Sequence, residues 1–439
     1  MNDKRSQRGQ ALILIVLGIV GLVAITALAI DAGNAFSDRR NAQNAADTAA
    51  LAAALAKVNN QSISDASISD TVKNITTPNG YPDTRITVNA VIYVPGSNPN
   101  AGITVNNPPG VYDCDPSDTP SPYIDDPDYI QVIIHSTVNT FFAPIVGIDQ
   151  LHNCVEAIAR ARPSYTAPMF FGNAIVSLAP TDCSAFRVSG TGDVTVTGGG
   201  VFVNSSCSGS QPSSNAFRQE GSSSLTAPSI SVVGGASYTP GDVTPAPTVG
   251  AEQIPYHPEY IWPAPTCSGA GSYTKVGNIA TLTPGSFSSF PPVGGSVKTY
   301  ILQSGIYCIS GNWSAGSQDS YTGSNVLLYI INGSVTWNGA ATINLDAPDS
   351  GEFAGLLLYL PLTNDSDVSI NGNSSSQFIG TILAPASDID VAGTGSTDGL
   401  YSQVIGYIIK LTGDSATNIN YSDEDNYDIT IPPSIELAR

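Results

Sequence analysis

The chain has 439 residues, of which 41% are hydrophobic, 36 residues are acidic and only 16 are basic. The hydrophobic share argues against a disordered chain, and 42 glycines with 31 prolines argue against an all-helical one. The net charge of −20 argues against a nucleic-acid partner, because binding to phosphates depends on lysine and arginine. Few charges and many Ser, Thr, Asn and Gly residues predict an exported, mainly β protein that acts as a scaffold.

The first predicted element is a membrane-spanning helix over residues 11–30, which carry no charge. Their Leu, Ile and Val residues contribute roughly −6 kcal/mol to insertion, at about −0.5 kcal/mol each. Lys4, Arg5 and Arg8 precede this run. The positive-inside rule therefore predicts a single-pass protein of the cell membrane with a cytoplasmic N-terminus and an extracytoplasmic remainder. A cleaved signal peptide is the alternative, although its apolar region is usually shorter, about 7–15 residues.

Residues 31–58 are predicted to continue the helix beyond the membrane, since they contain no proline and are dominated by alanine, the best helix former. A helix from about Gln10 to Val58 is roughly 70 Å long, and its outer half needs a packing partner. Residues 1–58 thus form a predicted segment of cytoplasmic tip, membrane helix and stalk. Five alanines recur at helical spacing as a predicted packing face toward a sheet or another helix: Ala42, Ala45, Ala46, Ala49 and Ala53.

Three short motifs in these residues resemble the start of Flp pilus-assembly TadE/TadG-like proteins: RGQA at 8–11, AID at 29–31 and QNAADTAALA at 43–52. The resemblance implies a single-pass envelope protein of the tight-adherence (Tad, Flp) system whose long helix mimics a pilin. It also implies pilins or other pilus-assembly proteins as partners. Prepilin processing would imply cleavage after Gly9 with Glu at the fifth mature position, where this chain has Leu14.

Residues 59–163 are predicted to form a small, pilin-like α+β module. Polar residues up to about Gly80 predict a loop or short helix, and residues 85–94 and 129–138 then alternate as half-buried strands do. A third strand is predicted over 155–161, and an acidic, proline-rich insertion over 98–128 separates the first two. The FFA turn at 141–143 and the third strand also resemble TadG-like proteins.

Residues 164–422 consist of short β-type runs separated by Gly, Asn and Ser, without a helical pattern. Two columns of apolar residues recur, Leu328, Leu357, Ile382 and Ile408 at separations of 29, 25 and 26, and Val335, Val368, Ile389 and Ile409 at 33, 21 and 20. Such spacings predict a parallel β-helix. An antiparallel sandwich is the alternative, but the continuous apolar run at 355–360 favours strands buried on both faces.

The predicted fold is therefore mainly β, with the long helix and the α+β module preceding a β-helical ectodomain. LTPG at 282–285 and GIYC at 305–308 resemble the β-helical ectodomains that follow many TadE/TadG-like N-termini. Within the β-helix, the proline-rich residues 238–265 are predicted to cross the solenoid surface. Residues 423–439 are predicted to form a polar tail.

All six cysteines follow the membrane helix, and an even count in an exported region predicts disulfides. Six cysteines allow about 15 connectivities. Pairing of neighbours places each bridge within one module, and free buried thiols are the alternative. The predicted pairs are Cys114 with Cys154, Cys183 with Cys207, and Cys267 with Cys308.

Acidic residues close in sequence are candidate calcium ligands. Four such groups occur: Asp113, Asp115 and Asp118; Asp125, Asp126 and Asp128; Asp365 and Asp367; Asp388 and Asp390. Calcium needs six to eight oxygens from a shaped loop, and no run fits the D-x-D-x-D-G pattern with its distal Glu. We therefore interpret these residues as solvated turn acids and predict neither a metal nor a cofactor.

A carbohydrate-active β-helix enzyme is an alternative function, because Asp388 and Asp390 are predicted to lie on one side of a strand, with Lys410 about one coil further on. However, residues 163–438 contain five basic and 21 acidic residues, which opposes the binding of an acidic polysaccharide. The histidines His135, His152 and His257 are isolated, and DCSAF at 182–186 lacks the second serine of a D-x-S-x-S metal motif. No enzyme is predicted.

The predicted function is that of a membrane-anchored, extracytoplasmic structural component of a Tad/Flp-type pilus or surface-adhesion apparatus. Its predicted partners are the membrane, pilins or other pilus-assembly proteins, and carbohydrate or surface proteins on the polar face of the solenoid. A surface-layer protein unrelated to pili is a further alternative.

Overall fold

The computed structural model describes residues 7–81, 86–88, 102–110, 114, 122–256, 258–371, 375–392, 399–413 and 416–438. The chain forms two compact units. Unit 1 comprises Met1–Tyr165 and Pro432–Arg439, and unit 2 comprises Thr166–Ile431.

Most of the described residues in regular structure are in strands. The helices and the strands before residue 250 are, in chain order, α1 Gln7–Asn59, α2 Asp65–Thr76, β1 Ile86–Val88, β2 Gly102–Asn106, β3 Tyr129–Asn139, β4 Gln150–Arg162, β5 Tyr165–Pro168, β6 Ile175–Ser177, β7 Phe186–Gly190, β8 Asp193–Thr197, β9 Val201–Val203, β10 Phe217–Gln219, β11 Ser224–Thr226, β12 Ile230–Val232, β13 Ala236–Ser237, β14 Val243–Thr244 and β15 Thr248–Val249.

The strands after residue 270 continue this series to the C-terminus. They are β16 Ser272–Val276, β17 Ile279–Thr283, β18 Gly285–Phe287, β19 Thr299–Leu302, β20 Gly305–Ile309, β21 Trp313–Ala315, β22 Ser320–Gly323, β23 Val326–Ile330, β24 Val335–Trp337, β25 Thr342–Asp346, β26 Leu356–Tyr359, β27 Val368–Asn371, β28 Gln377–Ile379, β29 Thr381–Ala384, β30 Ile389–Ala392, β31 Leu400–Tyr401, β32 Val404–Gly406, β33 Ile409–Gly413, β34 Thr417–Asn420, β35 Asp428–Ile431 and β36 Ser434–Leu437.

In unit 1, two helices pack on one sheet whose strand order is β1-β2-β3-β4-β36. The β1–β2 pair is parallel and the other neighbours are antiparallel. Ser64 precedes helix α2, and its hydroxyl accepts the N–H of Ser67 and so caps the first turn. The core is formed by the alanine-rich part of α1, Ile68 and Val72 of α2, and the inward side chains of β2, β3 and β4.

The structure differs from the sequence predictions at β2 and at the predicted polar tail. Strand β2 lies within the segment that was expected to be an insertion. Strand β1 covers residues 86–88 of the predicted strand 85–94, and the other residues of that prediction lie outside the described part. The predicted polar tail is not a tail: β35 pairs with β5, and β36 pairs with β4 of unit 1. Ile429 and Ile435 in this segment alternate with polar neighbours, a pattern that predicts strands. The acidic residues at 423–425 led instead to the prediction of a polar tail.

Unit 2 is a parallel β-helix, which confirms the predicted fold and excludes the antiparallel sandwich. Its coils stack into three sheets of ten, eight and eleven strands, and the β16–β17 hairpin at one edge is antiparallel. The first sheet orders as β15-β12-β9-β6-β32-β29-β26-β23-β20-β18, the second as β13-β10-β7-β33-β30-β27-β24-β21, and the third as β14-β11-β8-β34-β31-β28-β25-β22-β19-β17-β16.

The coils do not follow one another in simple chain order. The first coil, β6 to β8, lies directly beside the last coil, β32 to β34, as the pairs Val404 with Ile175 and Ile409 with Phe186 show. From β6 the chain winds to one end of the β-helix at β15. It then resumes at the opposite end with β16 and winds back to meet its own first coil. The chain therefore enters and leaves the β-helix in the interior of the stack.

Aromatic and aliphatic side chains fill the inside of the coils. The rings of Trp337 and Phe378 stack with centroids 4.8 Å apart, and Trp313 meets Trp337 edge to face at 5.0 Å. Tyr300 and Tyr321, which are register partners in β19 and β22, stack at 4.6 Å. Such stacking is favoured because parallel in-register strands place like side chains directly above one another.

The proline-rich residues after β15 run across the outside of the first sheet. Ile254, Tyr256 and Trp262 pack against a cluster that includes Phe202 of β9 and Leu383 of β29. Because this segment covers them, outward apolar residues of the first sheet are buried, which explains why its strands are apolar on both faces.

Candidate membrane anchor and packing face of the long helix

The N-terminal half of α1 exposes its apolar side chains. Every large apolar residue from Leu12 to Ile30 is exposed, for example Leu14 at 70% and Ile25 at 69%. Among the described residues, this is the one helix long and apolar enough to cross a membrane. A stripe of this size left in water would be strongly unfavourable, whereas a bilayer core of about 30 Å accommodates it. The N-terminal half of α1 therefore fits membrane anchoring.

The exposed half of α1 ends at Asp31, whose side chain is 3% exposed. Its carboxylate accepts hydrogen bonds from the backbone N–H groups of Phe141, Phe142 and Ala143, at 2.7, 3.0 and 2.8 Å. Burial raises the pKa of Asp31, but the three hydrogen bonds prevail and hold this pKa below its ordinary value. An ionised carboxylate thus ties the β3–β4 turn to α1 where the apolar run ends.

The predicted packing face of α1 lies in the core of unit 1. Its five alanines, Ala42, Ala45, Ala46, Ala49 and Ala53, are each at most 2% exposed. They face the sheet, where Ala157 and Ala159 of β4 belong to the same core cluster. Small side chains on both sides bring the helix axis close to the strands. The chain itself therefore occupies this face, which leaves these alanines no surface for a pilin helix.

Polar residues of α1 fix the helix on the sheet between these alanines. The Gln43 amide donates to the backbone oxygen of Glu156 at 2.8 Å, and Asn153 donates to the Asp38 carboxylate at 2.6 Å. At the outer end, Lys57 donates to the Asn107 side chain at 2.6 Å. Sequence reasoning missed these residues because their partners lie 50 or more positions away. The sequence signal that could have identified these polar residues is that they recur on the same helix face as the alanines.

The structure contains three disulfides, and the described residues include no free cysteine. Cys114–Cys154 joins β4 to the β2–β3 connection, with Cα atoms 5.3 Å apart. In unit 2, Cys183–Cys207 links two neighbouring coils at 5.2 Å, and Cys267–Cys308 links the end of the crossing segment to β20 at 6.0 Å. All three distances lie within the normal range for disulfides.

Two of the four acidic candidates of unit 2 bind side chains of the neighbouring coil. Lys410 donates to Asp388 at 3.1 Å, and Thr412 donates to Asp390 at 2.9 Å. Asp365 and Asp367 are exposed. Within the described ranges, no group of three His, Cys, Asp or Glu residues could hold a metal ion.

The remaining candidates lie in or near unit 1. The Asp126 carboxylate accepts the backbone N–H of Asp128 at 2.9 Å, and Asp125 has a left-handed backbone in the same turn. His135 is half-buried and His152 is exposed. Asp113, Asp115, Asp118 and His257 lie outside the described residues.

Unit 2 contains a cavity of about 670 Å³. Trp262, Tyr427 and seven carboxylates line it, without a lysine, arginine or histidine. Burial raises the pKa of Asp428 in this wall, and nearby Asp423 raises it further. The carboxylates of this wall oppose the binding of anions. The acidic residues of the wall are Asp346, Asp349, Glu352, Asp423, Glu424, Asp425 and Asp428.

Comparison with known protein families gives a match that falls on α1. Residues 9–56 match the Tad family, described as putative Flp pilus-assembly TadE/G-like. No curated protein and no solved structure matches the chain. The matched residues contain both the exposed apolar half of α1 and its buried alanines. The N-terminal part of this chain is therefore similar to TadE/G-like Flp pilus-assembly proteins.

Proposed function

We propose that this protein is a membrane-anchored, extracytoplasmic structural component of a Tad/Flp-type pilus or surface-adhesion apparatus. The observation that carries the proposal is the division of α1. Its N-terminal half exposes every large apolar side chain, its outer half is built into the core of unit 1, and the TadE/G-like match spans both. The helix thus joins a bilayer to a folded exported body.

The orientation follows from charge and from the cysteines. Lys4, Arg5 and Arg8 precede the apolar run and favour a cytoplasmic N-terminus. Three disulfides lie on the other side of this run, in both units, and disulfides persist in oxidising compartments outside the cytoplasm. Both arguments favour a single-pass protein whose bulk is extracytoplasmic.

The partner surface of the helix lies in the membrane and not in the stalk. Because the alanines of the stalk are buried, a pilin or another pilus-assembly protein contacts residues 12–30. Gly18 and Gly21 lie one turn apart there, and a Cβ atom at either position would meet no other atom within 4 Å. Small residues that share one face of a helix allow another transmembrane helix to approach closely.

The role is mechanical and interfacial, without catalysis. The paired carboxylates at 388 and 390 are bonded to Lys410 and Thr412, and the acidic cavity opposes binding of an acidic polysaccharide. The β-helix instead presents polar coil faces to carbohydrate or to surface proteins.

The test is co-purification of pilus proteins with the full chain from cells in mild detergent. The double variant Gly18→Leu, Gly21→Leu keeps the helix apolar but blocks close approach, so we expect it to lose most of the co-purified pilin. Ala27→Leu, on the opposite side of the helix, is the matched control and keeps it. Failure of the native chain to retain any pilus protein would overturn the proposal, and undiminished retention by the glycine variant would remove the helix-mediated contact.

A further inference from the structure

The turn between β3 and β4 carries a second apolar surface. Residues 141–148 read FFAPIVGI and contain no charge. Five of their side chains are exposed: Phe141 at 72%, Phe142 at 40%, Ile145 at 87%, Val146 at 75% and Ile148 at 46%. Among the described residues of unit 1 outside α1, the only other large apolar side chains in this class are Ile435 and Leu437.

This turn lies at the level where the apolar run of α1 ends. Its first three N–H groups bind the carboxylate of Asp31, the residue that follows Ile30. One residue of helix rise is about 1.5 Å, so the turn is fixed beside the end of the run. Moving outward along α1, exposed Phe36 comes next, and exposed Arg39 and Arg40 follow at roughly 12 Å from Asp31, where anionic headgroups attract cations.

The backbone of the turn is suited to a medium poor in water. Besides the three N–H groups bound by Asp31, Ile145 donates to Phe142, Gly147 donates to Pro144 and Ile148 donates to Ala143. Pro144 has no N–H to satisfy. Gly147 has a φ of 86°, which glycine adopts readily and which closes this turn. Unpaired N–H groups are costly in a bilayer, and this turn satisfies its own.

We propose that residues 141–148 are a second membrane contact, seated in the bilayer interface on the exported side, next to α1. This inference rests on the proposed insertion of α1. The lipid bilayer is the occupant that the observations favour, because the turn is tied to the end of the apolar run, carries no charge and exposes two phenylalanines, which interfacial segments bury at the headgroup boundary. The turn and the helix together fix unit 1 at one height and one rotation above the membrane.

The experiment uses the full chain in phosphatidylcholine–phosphatidylglycerol vesicles and the variant Ile145→Trp. We expect its added fluorescence to be blue-shifted and mostly lost when the vesicles contain lipid brominated near the headgroup end of the acyl chains. The matched control is Ala66→Trp, at the exposed start of α2 near Lys57, which is about 39 Å along α1 from Asp31. The control fluorescence stays unquenched.

Alkaline extraction of the same vesicles reports separately whether α1 is inserted. Equal quenching of the two variants, with both retained in the membrane, would overturn the second contact and leave the anchoring function intact. Loss of both variants from the membrane would overturn the anchor and, with it, this inference. If the turn is unquenched in vesicles and shielded only in membranes that contain pilus proteins, its occupant is a protein and the proposal is wrong.

Discussion

The two halves of α1 reverse the usual relation between hydrophobicity and burial. Leu, Ile and Val of residues 12–30 are exposed, whereas the buried residues of the outer half are mostly alanines. The outer half packs on a sheet, where the smallest side chain gives the closest approach. No described element of this chain covers the large apolar side chains of the inner half, whose composition is the one that a hydrocarbon solvent selects. The exposure of each half of this helix therefore reflects what surrounds that half. Substitutions that disrupt the environment of one half are expected to leave the other half intact.

The largest effect is expected from charges in the inner half. Ile19→Asp with Leu22→Asp places two carboxylates near the centre of the span, at a combined cost of about 7 kcal/mol on insertion scales. We expect the protein to be released by alkaline extraction while the core of unit 1 stays protected from hydrogen exchange. The control, Ile19→Leu with Leu22→Ile, keeps the apolar run and remains in the membrane. Retention of the charged variant would contradict a lipid environment for these positions.

In the outer half we expect a smaller effect, in which unit 1 is destabilised while the protein stays in the membrane. Ala46→Leu with Ala49→Leu overfills the contact between α1 and the sheet, at roughly 1–3 kcal/mol for each substitution. Amides of β3 and β4 should exchange faster, while resistance to alkaline extraction stays unchanged. Thr48→Leu adds the same side chain at an exposed position and serves as the control. Unchanged exchange in the double variant would show that the alanines do not limit the approach of the helix.

The smallest effect is expected at Asp31, where the halves meet. Asp31→Asn removes the charge that receives three N–H groups but keeps one acceptor oxygen, so we expect it to weaken the attachment of the turn to α1 without unfolding unit 1. Because the pKa of Asp31 is lowered on folding, its contribution is present above the ordinary value of about 3.9 and is lost as the pH falls through the lower folded value. The readout is exchange at the amides of Phe141 and Phe142. Asp70→Asn, exposed on α2, is the control, and equal exchange in both variants would contradict the role of the charge.

The β-helix shows how far register can be derived from sequence. The column Val335, Val368, Ile389 and Ile409 is correct residue by residue. In the other column, Leu358 takes the predicted place of Leu357, and Val404 that of Ile408. The run LLLYL at 356–360 is buried on both faces and a register shift occurs within it, so alternation carries no information there.

Other features depend on contacts that a linear pattern does not encode. The alanines of α1 predict close packing, but whether the neighbour is a sheet of the same chain or a foreign helix depends on strands that follow 50 or more residues later. The bond between Asp31 and the β3–β4 turn spans 110 positions. The first and last coils have similar amino-acid compositions. Composition therefore does not predict that they are neighbours in the stack.

The chain enters and leaves the β-helix in the interior of the stack. This arrangement determines which part of unit 2 bears an applied force. Strands β5 and β35, where the chain enters and leaves unit 2, pair with each other in a separate two-stranded sheet. Tension applied through the segments that enter and leave unit 2 is thus borne by the hydrogen bonds between β5 and β35. It is not transmitted along the coils. A pull on the anchored end cannot peel the coils from either tip. The tips are joined to each other by the crossing segment after β15, whereas the segments that lead to unit 1 leave from the interior of the stack.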